Sequence, residues 1–559
     1  MSRKLYILLL ILCITPLSLL AVNISGTILY ERVHPTHLGT NSSLNFSNIT
    51  QEPAKQVLVE AINEQSNTVN STYTDTQGNY FLSNLNSNSN IKIRVYAKMF
   101  KQSAWDVKVI DNVNRDSLYV IEGNLATTGF KDTVRNLVAS ASNKSSPPFA
   151  ILGSVYQAMQ KVRAIDENVQ FPPLKMNWST RNISSGTYYD GIDNIVLQGD
   201  QQGDSDEYDD HIIIHEWGHF LEQKLSRADN IGGPHGTDER LDIRVAFGEG
   251  FGNALSAIVS DDPIYFDTLG RNSGWNMNIE NAPHETPGWF SEASIQRILY
   301  DLYDTPRDKG DNLALGFQPI YKTLIRGQKT TPAFTSIFSF ITELKKDNPE
   351  ATSRVDDIVA NENIATIEDI YGSNRISNLA DDDLPLYREL TLNTTIKNVC
   401  TKNSNNQNYN KLSNHKYVRF TINENNTYPI QIKQSNGQNA DPEFTLFKAS
   451  PFENYSTQES GVAGVEEVSL ALTSGDYILD IFDANKRTKA CFNVSIGKVS
   501  SVIDPENEDP ETDNPENTNS QNTTQTIGIG LPENKFLAFF MMLLILFIPL
   551  FFIRKELII

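Results

Sequence analysis

The stretch HIIIHEWGHFLEQ, His211 to Gln223, constrains this chain more than any other short segment. A helix turns once per 3.6 residues, so His215 and His219 project from one face, one turn apart, with Glu216 at the flank of that face. The apolar residues between them predict that the helix is buried. Two imidazole nitrogens at this spacing can bind one zinc ion at about 2.0–2.1 Å, and the glutamate then lies beside the water that it must deprotonate.

A catalytic zinc site needs a third protein ligand and keeps one position open, so the motif requires a further residue elsewhere. The extended motif that places a histidine six residues after His219 is excluded, because that position is Leu225. The segment AFGEGFGNALSAIV predicts a second helix and offers Glu249. Its glycine neighbours have no Cβ and would let the two helices approach closely. His235 stays open as a rival third ligand or as a transition-state donor.

The two segments together resemble the gluzincin metallopeptidases, with HExxH on one helix and a glutamate on the next. GEGFGN is most similar to the GEGW helix of fungalysin-type enzymes. The resemblance implies that His215, His219 and Glu249 bind zinc and that Glu216 is the general base. Those families carry Asp four residues after the ligand glutamate, whereas this chain has Asn253. An amide accepts a hydrogen bond from the first histidine more weakly, which implies a lower metal affinity or rate.

Other polar side chains near these helices are candidates for supporting roles. His211 lies one turn before His215, too far along the axis to reach a metal centred on the motif, so we expect a neighbour rather than a ligand. Tyr300 and Tyr303, in SIQRILYDLYD, are donor candidates beside His235. Tyrosines at that spacing are more often core residues.

The two ends of the chain predict export and membrane anchoring. Residues 1–21 have a basic start and an apolar run that ends in small residues, as a secretory signal peptide does. Residues 536–553, FLAFFMMLLILFIPLFFI, would form a helix of about 27 Å, close to the thickness of the hydrocarbon core. Arg554 and Lys555 follow it and place the short tail in the cytoplasm. The acidic, Pro-rich residues 498–535 predict a disordered linker.

Between these ends, the periodicity divides the chain into three parts. Residues 22–125 alternate apolar and polar residues and resemble the carboxypeptidase regulatory-like domain in SGTI, AKQVLVEAINEQSNTVNSTYTDTQGNYFL and IKIRVYA. Residues 390–497 alternate again and resemble the bacterial pre-peptidase C-terminal domain, above all in GDYILDIFD. Residues 127–386 are mainly helical, with two strands, PLKMNWST and DNIVLQGD, before the His-rich helix. We expect the second of these strands to pair with an extended substrate.

The expected fold is therefore multidomain: an α-rich α+β zincin-like metallopeptidase domain between two β-sandwich domains, with a C-terminal transmembrane helix. In an exported protein, Cys400 and Cys491 predict a disulfide, two free buried thiols being the alternative. The formal net charge of −21 argues against a nucleic-acid partner.

The function expected from these features is that of an exported, membrane-anchored zinc endopeptidase that hydrolyses protein or peptide substrates, with Zn2+ as its cofactor. The alternative is a surface adhesin or binding protein with a structural or inactive zinc site. The intact Glu216 favours the enzyme, because a structural site has no use for a base.

Overall fold

The computed structural model describes residues 21–497 apart from 184–185, 201, 272, 282–283, 306–312, 374–382, 403–407, 438 and 486–488. All described residues belong to one compact unit. The predicted linker and the predicted membrane helix lie outside the described residues, and so does the predicted signal peptide up to residue 20. Within the described part, no helix has both the length and the apolar character needed to cross a membrane.

The first part of the chain is made of strands, as its alternation predicts. In the strand Asn90–Lys101, every second residue from Ile91 to Met99 is buried, which is the pattern of a strand with one face on a core. The strands are β1 (Ala21–Leu38), β2 (Asn41–Pro53), β3 (Val57–Asn63), β4 (Thr68–Tyr73), β5 (Asn79–Asn86), β6 (Asn90–Lys101), β7 (Trp105–Asp111), β8 (Ser117–Leu118), β9 (Val120–Glu122), β10 (Ala126–Thr127), β11 (Thr133–Val134) and β12 (Leu137–Ala139).

One sheet crosses the predicted boundary between residues 125 and 127. It runs β14–β15–β13–β7–β6–β3–β4, where β13 is Leu174–Trp178, β14 is Tyr188–Tyr189 and β15 is Asn194–Leu197. β13 pairs in parallel with β7, and β11 and β12 pair in parallel with β1. The structure therefore differs from the predicted division, because strands of the second segment complete the sheets of the first and bury one common core with them.

Helices dominate the middle of the chain, where helical periodicity is expected. They are α1 (Pro147–Arg163), α2 (Asp210–Leu225), α3 (Ile243–Ser260), α4 (Glu292–Asp301), α5 (Phe317–Lys322), α6 (Ile337–Asp347) and α7 (Thr352–Asn361). A π-helical stretch, Thr323–Gln328, follows α5, and a 3-10 turn, Pro349–Ala351, precedes α7. A hairpin of β16 (Ile264–Leu269) and β17 (Ser273–Asn278) joins α3 to α4.

α3 is the central helix of this region. All of its residues from Ile243 to Val259 are buried, as expected of a helix that is apolar or small on every side. The Asp242 side chain caps its N-terminus by accepting a hydrogen bond from the backbone N–H of Arg244. α2 and α4 both pack against α3, and this packing brings polar residues of all three helices together.

The last part of the described chain forms a separate β-sandwich with its own core. One sheet has the order β18–β20–β25–β22–β23, and the other has the order β19–β26–β21–β24. These strands are β18 (Tyr387–Glu389), β19 (Thr395–Thr401), β20 (His415–Ile422), β21 (Asn426–Asn436), β22 (Pro442–Ala449), β23 (Phe452–Gln458), β24 (Val465–Leu472), β25 (Gly475–Asp483) and β26 (Ala490–Ile496). Cys400 and Cys491 form the predicted disulfide between β19 and β26. The protein is thus multidomain and rich in strands.

Candidate metal centre

α2 and α3 approach most closely where each carries a glycine. A Cβ on Gly252 would come within 2.8 Å of Nδ1 of His215, and a Cβ on Gly218 would meet the Cα of Gly252 at 3.4 Å. The small residues around Glu249 therefore do what the sequence predicts: they let a histidine of one helix lie directly against the backbone of the other.

The three predicted ligands meet at this crossing. Nε2 of His215 lies 3.0 Å from Nε2 of His219. Oε2 of Glu249 lies 3.2 Å from the first nitrogen and 3.3 Å from the second. Two donors held at about 2.05 Å by one tetrahedral zinc ion lie roughly 3.3 Å apart. These three atoms therefore have the spacing and the chemistry of a zinc-binding set.

A chain of amides behind His215 sets its tautomer. Nδ1 of His215 donates to Oδ1 of Asn253 at 2.7 Å, and Nδ2 of Asn253 donates to Oε1 of Gln296 at 2.9 Å. With Nδ1 donating to Asn253, Nε2 is the nitrogen that faces Glu249 and His219, and it is the atom that would bind a metal once it carries no proton. Asn253 thus makes the contact that the sequence predicts for it in place of the usual aspartate.

Glu249 is held in its ionised form. Burial opposes ionisation, but the imidazoles of His219 and His215 outweigh it and hold the pKa of Glu249 well below its usual range. Its second oxygen, Oε1, accepts a hydrogen bond of 2.9 Å from Nδ2 of Asn230. The carboxylate therefore points a single oxygen, Oε2, at the two histidines.

Glu216 stands beside this set without belonging to it. Its residue is 9 % exposed, and its Oε2 accepts a hydrogen bond of 2.8 Å from the backbone N–H of Tyr189 on β14. Burial, with the charge of Glu249 as a smaller contribution, raises the pKa of Glu216 to about 7. A carboxyl group with such a pKa can accept and release protons near neutral pH.

His235 lies on the other side of Glu249. Its Nε2 is 3.3 Å from Oε2 of Glu249, and its Nδ1 donates to Oε2 of Glu292 at 2.7 Å. It is not one of the three residues whose ligand atoms lie within 4.8 Å of one another, so it does not replace Glu249 as third ligand in this arrangement. Burial opposes its protonation, but the hydrogen bond to Glu292 and the charge of Glu249 raise the pKa of His235 to about 9.

The other candidates lie away from the three donors. His211 is buried, and its Nε2 contacts the backbone oxygen of Asp262 at 3.1 Å, so it is a neighbour as expected. The Tyr303 hydroxyl donates to Asp261, the residue that follows the C-terminal end of α3, and this end is more than about 15 Å along the helix from Glu249. The ring of Tyr300 lies 5.9 Å from that of Tyr303, so the two tyrosines lie together near the end of α4. This leaves His235 as the donor candidate nearest to the metal-binding set.

The expectation that DNIVLQGD pairs with substrate is wrong for the strand it contains. β15 pairs with β13 on one side and with the two-residue strand β14 on the other. Both of its edges are thus covered over Ile195 and Val196, and the outer strand is β14. β14 could not be predicted from the sequence, because two residues are too few to show a periodic pattern.

Three supporting side chains and one backbone N–H group were not expected from the sequence. Asn230, Glu292, Gln296 and the backbone of Tyr189 each hold one of the predicted residues. Of these four, only Glu292 and Gln296 could have been suspected from the sequence, because their spacing of one helical turn puts them on the same face of α4.

Residues 163–353 match the family model described as the Mycolysin C-terminal domain. The matched range is about a third of the chain and contains Glu216 together with the three metal-binding candidates. This match relates the protein to peptidases. No curated protein sequence matches the chain.

The solved structures that are similar to this chain include three that match a fifth of it. The pre-peptidase C-terminal domain of a collagenase from Bacillus anthracis is 14 % identical, and the match covers 20 % of this chain and 93 % of that one, with a TM-score of 0.16. The surface-associated copper-binding protein CorA of Methylomicrobium album BG8 is 8 % identical over 20 % of this chain and 96 % of that one, with a TM-score of 0.16. The periplasmic lysozyme inhibitor PliG of Aeromonas hydrophila is 10 % identical over 20 % and 94 %, with a TM-score of 0.14. Likeness this low carries no functional argument.

Proposed function

We propose that the protein is a zinc-dependent endopeptidase of the gluzincin type that hydrolyses protein or peptide substrates. One observation carries the proposal. Two histidine nitrogens and one carboxylate oxygen, from two crossing helices, lie 3.0–3.3 Å apart, while a fourth buried group, Glu216, stands beside them. This is the donor set expected of a catalytic zinc site, in which three protein ligands leave the fourth position of the ion to water.

In this proposal, bound zinc would polarise the scissile carbonyl and lower the pKa of the attacking water. Glu216 takes a proton from that water, because its buried carboxylate stands beside the three donors without being one of them. The Tyr189 N–H holds one carboxylate oxygen of Glu216 at 2.8 Å and fixes the direction in which the other faces. The hydroxide that remains attacks the carbonyl carbon, the C–N bond of the resulting tetrahedral intermediate breaks, and Glu216 passes the proton to the departing amine.

His235 is assigned the role of transition-state donor. Its Nδ1 donates to Glu292 at 2.7 Å, and this hydrogen bond to a carboxylate favours the protonated ring. The other ring nitrogen, Nε2, lies 3.3 Å from Oε2 of Glu249, the oxygen assigned to the zinc, and is therefore next to the metal position. Its side chain is 34 % exposed, so it is accessible to a substrate. A positioned donor of this kind stabilises charge that develops only in the transition state.

Export and membrane anchoring are part of the proposal and rest on the sequence of the two chain ends. Removal of residues 536–559 should release the protein from the membrane fraction into the soluble one. A truncated protein that still sediments with membranes would contradict the anchor at residues 536–553 and leave the peptidase proposal untouched.

The experiment that tests the activity measures zinc and hydrolysis together on the purified full chain. We expect about one zinc per chain, cleavage of casein, loss of cleavage after chelation and its return when zinc is added. Glu249→Ala should lose most of the zinc, whereas Glu350→Ala, an exposed glutamate on the 3-10 turn, should keep it. Cleavage that survives complete removal of zinc would overturn the proposal, and so would a zinc-loaded chain that cleaves none of a broad set of peptides.

A further inference from the structure

A second group of carboxylates lies outside the centre formed by the two histidines and Glu249. Asp204 and Asp206 belong to the segment between β15 and α2, and Asp267 lies on β16. One oxygen from each of the three lies within 4.8 Å of the others. In the part of the chain that the structure describes, none of the three forms an ion pair with a lysine or an arginine.

Two of these carboxylates have an acceptor that no donor fills, whereas Asp206 accepts a hydrogen bond from the Thr187 hydroxyl. Oδ1 of Asp204 and Oδ1 of Asp267 are buried and have no hydrogen-bond partner among the described residues. Asp206 is 2 % exposed, and one oxygen of its carboxylate lies within 4.8 Å of one oxygen of Asp204 and one of Asp267. Ionised carboxylates that are buried this close together repel one another, so the group needs a shared proton or a shared cation.

The uncharged side chain of Gln198 indicates independently that the group holds a cation rather than a shared proton. An antiparallel bridge pairs Gly199 with Ser205, so Gln198 lies directly opposite Asp206. The backbone N–H of Asp206 donates to the backbone oxygen of Gln198 at 3.2 Å. Directly opposed residues point to the same face of an antiparallel pair. Gln198 is 4 % exposed, and its Oε1 has no hydrogen-bond partner in the described structure. A shared proton would leave this buried amide oxygen unsatisfied, whereas a cation would bind it.

The donor set selects the class of cation. All donors are oxygens, and hard divalent cations prefer carboxylate and amide oxygens, whereas zinc in protein sites favours nitrogen and sulfur. Oxygens bound to one Ca2+ at about 2.3–2.6 Å lie no more than roughly 5 Å apart, in agreement with the observed group. We propose that this group is a Ca2+-type divalent-cation site, formed by Asp204, Asp206, Asp267 and Oε1 of Gln198.

The position of the site indicates what the ion does. Asp209, the residue before α2, accepts hydrogen bonds from the backbone N–H of Thr268 at 2.6 Å and from its hydroxyl at 2.9 Å. The segment that leads into α2 is thereby tied to β16, next to Asp267. A cation bound there joins the same two elements a second time and stabilises the start of the helix that carries the histidines. This role does not depend on the proposed peptidase activity.

The test uses the full chain with His215→Ala and His219→Ala, so that the histidine centre cannot take up the added metal. After chelation and dialysis, Ca2+ is titrated while the melting temperature and the bound Ca2+ per chain are measured. We expect one Ca2+ per chain and a rise in melting temperature of about 3–5 °C at saturation. NaCl at the same ionic strength should give no such rise.

Asp204→Asn and Asp267→Asn, made in the same background, distinguish a lost site from a damaged fold. Both should lose the response to Ca2+, and neither should melt lower than the parent when metal is absent, because each removes a repelling charge. Asp357→Asn, an exposed position on α7, should respond as the parent does. A parent that binds no Ca2+ at millimolar concentration, or site variants that keep the full response, would overturn the proposal.

Discussion

Lys411 of the C-terminal β-sandwich segment binds the loop that carries His235. Its Nζ donates to the backbone oxygen of Pro234 at 2.7 Å and to Oε2 of Glu239 at 2.6 Å. Asn410 donates to the same Pro234 oxygen at 2.9 Å. A segment that the sequence places in an accessory domain thus holds the residue directly before the proposed donor.

If this contact positions His235, Lys411→Met should lower kcat by about tenfold, because small displacements of a catalytic group reduce rates steeply. Zinc content should not change, since none of the three ligands touches Lys411. Lys433→Met, an exposed position on β21 of the same domain, is the matched control. Equal kcat values for the two variants would show that the loop does not depend on Lys411.

His235 itself is expected to act in the chemical step rather than in metal binding. His235→Ala should lower kcat by about 10²–10³, the range seen when one donor to a developing oxyanion is removed, and should leave zinc bound. Tyr303→Phe serves as control, because that hydroxyl is bound to Asp261 far along α3. Loss of zinc in the His235 variant would instead show that His235 is a zinc ligand. An unchanged kcat would show that His235 is not the transition-state donor.

Asn253 should tune the affinity of the metal centre through His215. Asn253→Leu keeps a similar size but removes the oxygen that receives the Nδ1 proton, so zinc should bind about 10–100-fold more weakly. Asn253→Asp should bind at least as tightly as the parent, because a carboxylate is the stronger acceptor. Competition with a chromogenic chelator measures both. Parent-like affinity in the leucine variant would show that the 2.7 Å contact is irrelevant to the metal.

The buried contact between α3 and the C-terminal sandwich predicts a loss of stability in acid. Asp480 binds Arg244 at 2.8 Å and His415 at 2.7 Å. Burial opposes its ionisation, but these two partners outweigh it and lower the pKa of Asp480 to about 2. A carboxyl group whose pKa is lower in the folded state stabilises the fold above its unfolded pKa of about 4 and loses that contribution as the pH falls towards 2.

The contribution of Asp480 amounts to about 2–3 kcal/mol at neutral pH. Asp480→Asn should therefore melt well below the parent at pH 7, and the difference should shrink between pH 4 and pH 2. Asp476→Asn, at an exposed position on the same strand, should have the melting temperature of the parent at every pH from 7 to 2. A difference between parent and Asp480→Asn that stays constant down to pH 2 would contradict the assignment of this group.

The parts of the fold that could be predicted are those encoded in short runs of sequence. α1 covers PPFAILGSVYQAMQKVR from its first residue to its last, because two prolines mark its start and apolar residues recur at helical spacing. α2 and α3 were located by the same periodicity, and β13 and β15 by runs of alternating and β-branched residues.

What could not be predicted depends on contacts between distant segments. The pairing of β7 with β13 joins two segments assigned to different domains, and alternation within a strand does not say which strand it will pair with. Likewise, Glu292 meets His235 only because α4 packs on α3. The ligands were predictable because the i, i+4 spacing and the glycines beside Glu249 are each visible within one short run of sequence. The groups that hold the ligands come from distant segments, so no short run of sequence shows them.

The most direct test of the central claim compares the parent with Glu216→Gln. The substitution keeps size and shape but removes the base, and Glu216 is not one of the three donors that lie together. Zinc content, melting temperature and peptide hydrolysis are measured on the same preparations, with Glu350→Gln as the control. We predict that Glu216→Gln keeps its zinc and its melting temperature and loses hydrolysis by a factor of at least about 10²–10⁴. A variant that holds zinc and cleaves peptides as fast as the parent would contradict the account.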